Sequence, residues 1–110
     1  IAAAAQEQNP PRLVAGGDEQ AAGRIFIDMT GGASPPADYY RLAKDYGIGT
    51  VICMNAKREI IEAAQEAGLN VVAAGHMACD SIGMNLFLDQ LAEGGVQIIT
   101  TSGLTRFGRA

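Results

Sequence analysis

The sequence has few charged residues, few aromatic residues and a single histidine. Charged residues make up 18% of the 110-residue chain and aromatic residues 5%, whereas a typical soluble domain has about 25% charged residues. Eight basic and twelve acidic residues give a formal net charge of −4. Binding to duplex nucleic acid requires a clustered basic surface, so we do not expect duplex nucleic acid as the ligand. The 14 glycines and many alanines predict a core of small, closely packed side chains.

Cysteine is scarce, and long hydrophobic runs are missing. The two cysteines, Cys53 and Cys79, have no metal-binding or redox spacing and are too few for a disulfide framework, which favours a reducing compartment. No apolar run approaches the roughly 20 residues that a membrane span needs. The first residues also lack the basic segment of a signal peptide. We therefore expect a cytoplasmic protein that does not interact with membranes.

Strand and helix patterns alternate from residue 12 onwards. Residues 1–11 end in a Pro-Pro pair, which stops a helix, so we expect a linker or a frayed helix end there. Strands are predicted at 12–15, 24–29, 50–54, 70–74 and 96–101, and helices at 36–46, 57–67 and 81–93. Successive βαβ units with apolar strands indicate an α/β fold, with helices packed on a mostly parallel sheet.

The first two predicted strands resemble a hairpin, and the pattern is compatible with an antiparallel edge strand. Because the sequence does not begin with Met, we expect residues 12–110 to be a single α/β domain of a longer parent protein.

Helical spacing predicts which residues face the core. In the first helix, Tyr39, Leu42 and Ala43 share a face that Tyr46 extends. In the second helix, Ile60, Ile61 and Ala64 are predicted to point inward.

The last predicted helix is apolar on more than one face. Its apolar residues are Ile82, Met84, Leu86, Phe87, Leu88 and Leu91. A helix that lies on a sheet needs only one apolar stripe, so a second partner should cover the other side. This partner is either a second copy of the chain or a missing N-terminal half; the alternative is a central helix wrapped by its own chain.

The candidate chemical groups follow the carboxyl ends of the predicted strands, where open parallel sheets bind ligands. His76 follows one such strand. If the helix begins near Met77 instead of Ser81, His76 and Asp80 lie on one side of its first turn. Nitrogen and oxygen donors of this kind suit Zn, Mn, Fe, Co or Ni. Alternatively, Asp80 or Ser81 caps the helix and His76 packs at the end of the strand. A metal centre needs four to six ligands, so these two alone are not a complete site.

Three other features are weaker candidates. Asp28 is a third metal ligand only if its strand neighbours the strand that precedes His76. The Thr30-Gly31-Gly32 segment is a candidate anion site through its backbone N–H groups, although a turn explains the glycines equally well. It lacks the lysine of a P-loop and the third glycine of a dinucleotide fingerprint, so we predict neither site. Cys79 has only His76 as a candidate base and is more readily explained by packing.

Three stretches of this sequence together have a familiar order: Asp28–Gly32 (DMTGG), Gly75–Asn85 (GHMACDSIGMN) and Ile98–Gly103 (IITTSG). They resemble the C-terminal part of the NIF3-like family, often described as homologues of a type 2 GTP cyclohydrolase I. The resemblance implies a two-part α/β protein that forms a ring-like oligomer and holds a pair of divalent metal ions between its halves.

The resemblance also implies a role for two residues. His76 matches the histidine of the family's Gly-His-x3-Glu motif, and Asp80 stands where the family has the longer glutamate. Both are therefore implied metal ligands, whereas the half with the family's His-His pair is not among these residues. Asp28 is then a substrate contact or a support for the site, and Gly31 and Gly32 are anion contacts.

The function that the resemblance implies is the metal-contributing half of a dinuclear metal protein. Whether the protein is an enzyme is open. If it is, we expect a metal-dependent hydrolase or cyclohydrolase that acts on a nucleotide-like or phosphorylated substrate and is inactive as an isolated chain. The alternatives are a non-enzymatic oligomerisation or regulatory protein-binding module and, third, a small flavodoxin-like binder without metal. The expected partners are a second copy or the missing half, and a small phosphorylated ligand.

Overall fold

A computed structural model describes residues 10–29, 35–102 and 104–107. The elements in this part of the chain are β1 (Arg12–Ala15), β2 (Arg24–Asp28), α1 (Ala37–Asp45), β3 (Ile48–Cys53), α2 (Arg58–Ala67), β4 (Asn70–Ala73) and α3 (His76–Glu93). The contacts divide the chain into two compact units. The sheet unit is Pro11–Gly75, and the helix unit contains α3 and the residues that follow it.

The sheet unit has a four-stranded sheet in the order β1-β4-β3-β2. The strands β2, β3 and β4 are parallel, with α1 and α2 as the crossovers, and β1 is antiparallel to β4. This arrangement confirms the predicted α/β fold with a mostly parallel sheet and an antiparallel edge strand.

One core joins the two crossover helices to the sheet. Val51 and Val71, which are paired in register on β3 and β4, belong to the same buried cluster as Tyr40 of α1 and Ile60 and Ala64 of α2. The helix α2 ends at Gly68, whose φ of 74° is the left-handed conformation that glycine adopts most easily. The burial predicted for Ile60 and Ala64 is confirmed.

The predicted inward face of α1 is partly wrong. Ala43 is buried as expected, but Tyr40 fills the core while Leu42 and Tyr46 are exposed. The Tyr39 ring lies against Phe26 of β2, with the ring centroids 5.9 Å apart. Tyr40 suits the core better because its hydroxyl donates a hydrogen bond to the buried carboxylate of Asp28. Without this bond, burial would leave the hydroxyl without a hydrogen-bond partner.

The predicted hairpin between the first two strands is wrong, because β1 and β2 lie at opposite edges of the sheet. Polar contacts hold the connecting segment near the N-terminal ends of the intervening strands β4 and β3. The side chain of Gln20 donates to the Gly68 carbonyl, the Asn70 amide donates to the Ala21 carbonyl at 3.1 Å, and the Thr50 hydroxyl donates to the Ala22 carbonyl at 2.6 Å. With these bonds, the chain passes from one edge of the sheet to the other before β2 begins, instead of forming a hairpin with β1.

The last predicted strand and the predicted start of the last helix are also wrong. Residues 96–101 form no strand in the part of the chain that is described. A further crossover strand would pair with β4, but the antiparallel β1 already occupies that side of β4. The helix α3 begins at His76 rather than Ser81.

In the helix unit, the segment after α3 returns to the helix and is held by polar side chains. Asn85 is buried, and its amide donates to the Thr105 carbonyl. Arg106 donates to the Asn85 side chain at 2.7 Å and forms an ion pair with Asp89. The Phe107 N–H donates to the same Asn85 oxygen. We call Asn85, Asp89 and Arg106 the polar clasp.

No described helix is both long enough and apolar enough for a membrane crossing.

Candidate metal half-site

The helix α3 begins directly after the short segment that follows β4. After β4 the chain stays beside β3, since the Ala74 N–H donates to the Cys53 carbonyl at 2.7 Å and the Gly75 N–H to the Met54 carbonyl at 2.8 Å. Gly75 then has a φ of 92°, a conformation that a residue with a Cβ atom rarely adopts. The helix begins at the next residue, so His76 lies in its first turn.

The structure brings His76 and Asp80 together. The His76 Nε2 atom lies 3.1 Å from the Asp80 Oδ2 atom, one helical turn along α3. Both side chains are accessible, with exposed fractions of 60% and 57%. The prediction that the two residues share one side of a helix is therefore confirmed. The helix begins at His76, slightly earlier than the start near Met77 on which that prediction depended.

The spacing of these two atoms suits neighbouring ligands of one metal ion. With metal–ligand bonds of about 2.1 Å, two ligands lie about 3.0 Å apart at a right angle and about 3.4 Å apart at a tetrahedral angle. The same spacing also suits a hydrogen bond from a protonated imidazole to the carboxylate. The two residues fit a divalent ion as two of its ligands, so the pair is a candidate half-site, which would need two or more further donors.

No third ligand joins this pair in the part of the chain that is described. The described residues contain no group of three or more His, Cys, Asp or Glu side chains that could hold a metal ion. Asp80 also lies inside α3, as does Ser81, so the alternative in which either residue caps the helix is wrong.

Cys79, which lies between the two, is poorly suited to be a nucleophile. Burial, with the charge of the neighbouring Asp80, raises the pKa of the Cys79 thiol. The reactive form of cysteine is the thiolate, which a raised pKa disfavours at neutral pH. The packing role that the sequence favours for Cys79 agrees with its partly buried position.

Asp28 belongs to the core of the sheet unit. Its exposed fraction is 7%, and its Oδ2 atom accepts a hydrogen bond from the Tyr40 hydroxyl at 3.3 Å. Burial, reinforced by the charges of Cys53 and Asp28, raises the pKa of Tyr40 well above its usual value. The condition for Asp28 as a third ligand is not met, because β3 separates β2 from β4. The candidate anion contacts Thr30, Gly31 and Gly32 lie outside the described residues.

Sequence reasoning missed two polar groups. One is Tyr40: Tyr39 fits the helical spacing of a core residue equally well, and only the position of Asp28 shows which of the two tyrosines is buried. The polar clasp left a weak signal, since Asn85 interrupts the apolar stretch of α3 and a polar residue there is unexpected unless a partner satisfies it.

One solved structure is similar to this chain over most of its length. It is the crystal structure of a NIF3 superfamily protein from Sphaerobacter thermophilus, with a TM-score of 0.70 and 28% sequence identity. The match covers 91% of this chain and 37% of that chain. The predicted resemblance is thereby confirmed, and this chain spans little more than a third of the length of that relative. No protein-family model and no curated protein matches the sequence.

Proposed function

We propose that this chain contributes two ligands, His76 and Asp80, to the metal site of a NIF3-like protein whose remaining ligands come from outside the described residues. The observation that carries the proposal is the 3.1 Å spacing of the His76 and Asp80 donor atoms in a chain that is similar to a NIF3 superfamily protein. Bound divalent ions activate water and neutralise phosphate charge, which is the chemistry of a hydrolase.

The chain's own residues have defined tasks in this proposal. His76, as a neutral imidazole, and Asp80, as a carboxylate, would hold the ion, and the carboxylate would supply negative charge. Asp28 and Tyr40 hold the end of β2 in place from within the core. As a consequence, the isolated chain is inactive, and hydrolysis of a nucleotide-like or phosphorylated substrate requires the half that carries the other ligands.

Metal titration of the purified chain tests the ligands directly. Calorimetry with Zn²⁺, Mn²⁺ and Co²⁺ should detect weak binding by the wild type. The affinity should fall by at least about tenfold in His76→Ala and in Asp80→Asn. Losing a ligand costs at least as much affinity as losing the hydrogen bonds that support a ligand. Asp80→Glu, which restores the family's longer side chain, should bind at least as tightly as the wild type. Glu93→Gln removes one negative charge from the same helix and is the matched control.

A second experiment tests the function. The chain is co-expressed with the N-terminal part of a NIF3 superfamily protein, and hydrolysis of nucleotide and phosphoester substrates is measured with and without divalent ions. We expect metal-dependent turnover that the chain alone does not have and that His76→Ala abolishes. Equal activity of the wild type and the His76→Ala variant, or no gain over the isolated chain, would contradict the proposal.

A non-enzymatic oligomerisation or regulatory protein-binding module is the second candidate. It is supported by the exposed apolar residues of α3, of which Met77, Met84 and Phe87 have about half or more of their surface exposed. A module of this kind needs no ion. It is favoured if Phe87→Lys abolishes partner binding while His76→Ala leaves it unchanged.

A further inference from the structure

The polar clasp binds the main chain on both sides of one arginine. The Asn85 side-chain nitrogen donates to the Thr105 carbonyl at 3.0 Å, and the Asn85 side-chain oxygen accepts from the Phe107 N–H at 3.3 Å. These two bonds flank Arg106. A parallel β-strand pairs in the same way, since one residue donates to the carbonyl before the facing residue and accepts from the N–H after it. The amide therefore binds this segment as a strand would, through main-chain groups that almost every peptide has.

The guanidinium of Arg106 adds a preference for one side chain. It donates to the Asn85 side-chain oxygen at 2.7 Å and to the Asn85 main-chain carbonyl at 3.1 Å, and it forms an ion pair with Asp89. A lysine has one nitrogen at its tip and no planar fork, so it could not make the same set of contacts. Thr105, the preceding residue, is exposed. The contacts therefore select arginine but not the residue before it.

The groups that receive the arginine all belong to α3, and the helix itself orients them. The Asn85 side-chain nitrogen also donates to the Ser81 carbonyl, one turn earlier, at 2.8 Å. Asp89 follows one turn later on the same side. Side chains that are held in place before binding lose less entropy when a ligand arrives. At about 3.6 residues per turn, Asn85 lies half a turn around the helix from His76, so these groups are separate from the metal pair.

The bound segment, residues 104–107, is attached to α3 through a weakly packed connection. This connection begins after Glu93 with two glycines, of which Gly95 has a φ of 90°. Val96 and Ile99 within it are 50% and 75% exposed, and its described residues form neither a helix nor a strand. The segment can therefore leave the helix without unfolding another element.

We propose that Asn85 and Asp89 form a binding site for an arginine-containing peptide segment of a partner protein, and that residues 104–107 occupy this site as an intramolecular ligand. A tethered ligand has an effective concentration of the order of millimolar, so it competes with a partner and lowers the apparent affinity of the site. The proposal does not depend on metal binding at His76, so the two can succeed or fail separately.

A synthetic peptide with the sequence of residues 101–107 (TSGLTRF) and blocked ends tests the site. Its binding to the full chain is measured by NMR titration of the α3 amide signals. We expect Arg106→Ala to bind the peptide about tenfold more tightly than the wild type does, because the chain's own arginine no longer fills the site. Adding Asp89→Asn to Arg106→Ala should weaken this binding by at least about tenfold, since the guanidinium loses its charged partner. Asp38→Asn in the same background is the matched control, because it removes an exposed acid that pairs with a different arginine, Arg41.

Variant peptides test the selectivity without changing the protein. Replacing the peptide's arginine with lysine keeps the charge but should weaken binding to the Arg106→Ala chain by about fivefold or more. Replacing the threonine before the arginine with alanine should leave the binding unchanged, since Thr105 is exposed.

The wild-type chain provides a measurement that needs no substitution. An excess of the peptide should displace residues 104–107 and make hydrogen exchange at the Phe107 amide faster, because that amide then loses its bond to Asn85. The lysine peptide at the same concentration should have a smaller effect.

Three results would overturn the proposal. They are the absence of peptide binding to an Arg106→Ala chain that keeps the helix content of the wild type, equal binding with and without Asp89→Asn, and equal binding of the arginine and lysine peptides. If Arg106→Ala loses helix content, the wild-type measurement decides, and unchanged exchange at Phe107 in excess peptide would overturn the proposal.

Discussion

The turn after β1 passes so close to Asn70 that a side chain at Gly16 has no room. Gly16 has a φ of +86°, and a Cβ atom there would meet the Asn70 side chain and lie 2.9 Å from the Asn70 Cα atom. We expect Gly16→Ala to lower the free energy of unfolding by about 3 kcal/mol, from the left-handed backbone and from overpacking together. Urea unfolding measures this loss.

Two other glycines separate the contributions of strain and space. Gly47 has a φ of +77° but nothing within 4 Å of its Cβ position, so Gly47→Ala should cost only about 1 kcal/mol. Gly17 has an open environment, and Gly17→Ala should change the stability little. Equal losses in Gly16→Ala and Gly47→Ala would show that the contact with Asn70 is unimportant.

The buried Tyr40 should make stability fall in alkaline solution. Its raised pKa means that the folded state holds the phenolic proton more tightly than the unfolded chain does. This contribution is complete below the unfolded pKa of about 10 and is lost as the pH rises above it. Tyr40→Phe, which lacks the titrating group, should be less stable by about 1 kcal/mol at neutral pH.

The difference between the two proteins should then shrink above a pH of about 10, because only the wild type has the Tyr40 contribution to lose. Denaturant unfolding across the alkaline range measures it. Tyr46→Phe is the control, since the Tyr46 side chain is largely exposed and its replacement should leave the pH dependence unchanged. A difference that stays constant with pH would contradict the assignment.

Single residues of the candidate site were predictable where local geometry decides. Four-residue spacing on a helix brings His76 and Asp80 together wherever that helix goes, so the sequence was sufficient. The choice of Tyr40 over Tyr39 depends on where β2 places Asp28, which is a contact between elements distant in the chain. No local pattern carries that information.

At the scale of elements, the polar clasp should hold the segment after α3. The Arg106 and Asp89 side chains keep less than a third of their surface exposed, and Arg106 also donates to Asn85. We expect Arg106→Gln to cost about 1–2 kcal/mol locally, because it breaks the ion pair and leaves the Asp89 carboxylate partly buried without its cation. Hydrogen exchange at the Phe107 amide, which donates to Asn85, should become faster.

A surface ion pair provides the comparison. Arg58→Gln removes the pair with Glu62 on α2, where the Arg58 side chain is 91% exposed, and such pairs are screened by solvent. It should leave hydrogen exchange at Phe107 and the global stability unchanged. If Arg106→Gln behaved in the same way, the clasp would be dispensable.

The elements themselves were predicted well, and their pairing was not. Apolar runs and glycine stops located β3, α2 and β4 to within about two residues, because these signals are local. The position of β1 beside β4 depends on the contacts of Asn70 and Thr50 with a distant loop. The run at 96–101 has strand composition, but β1 takes the place beside β4, and composition cannot reveal this.

At the scale of the whole molecule, the sheet unit has its own core. Every residue of the buried cluster lies between Ala15 and Val71, and all of them belong to Pro11–Gly75. A domain of this size buries only about 60% of the surface that its unfolded chain exposes, so its stability is modest. The expectation is nevertheless that a fragment of residues 11–75 folds, since it keeps every residue of this cluster.

The fragment can be tested by amide NMR spectra and thermal unfolding. We expect dispersed amide signals, a cooperative transition and retention of the Asn70 contacts at the start of β4. Added Zn²⁺ should raise the melting temperature of the full chain but not of the fragment, because only the full chain has His76 and Asp80, and a ligand stabilises only the state that binds it. A collapsed spectrum would show that the core of the sheet unit depends on residues after Gly75. A zinc response of the fragment would place metal binding outside the proposed pair.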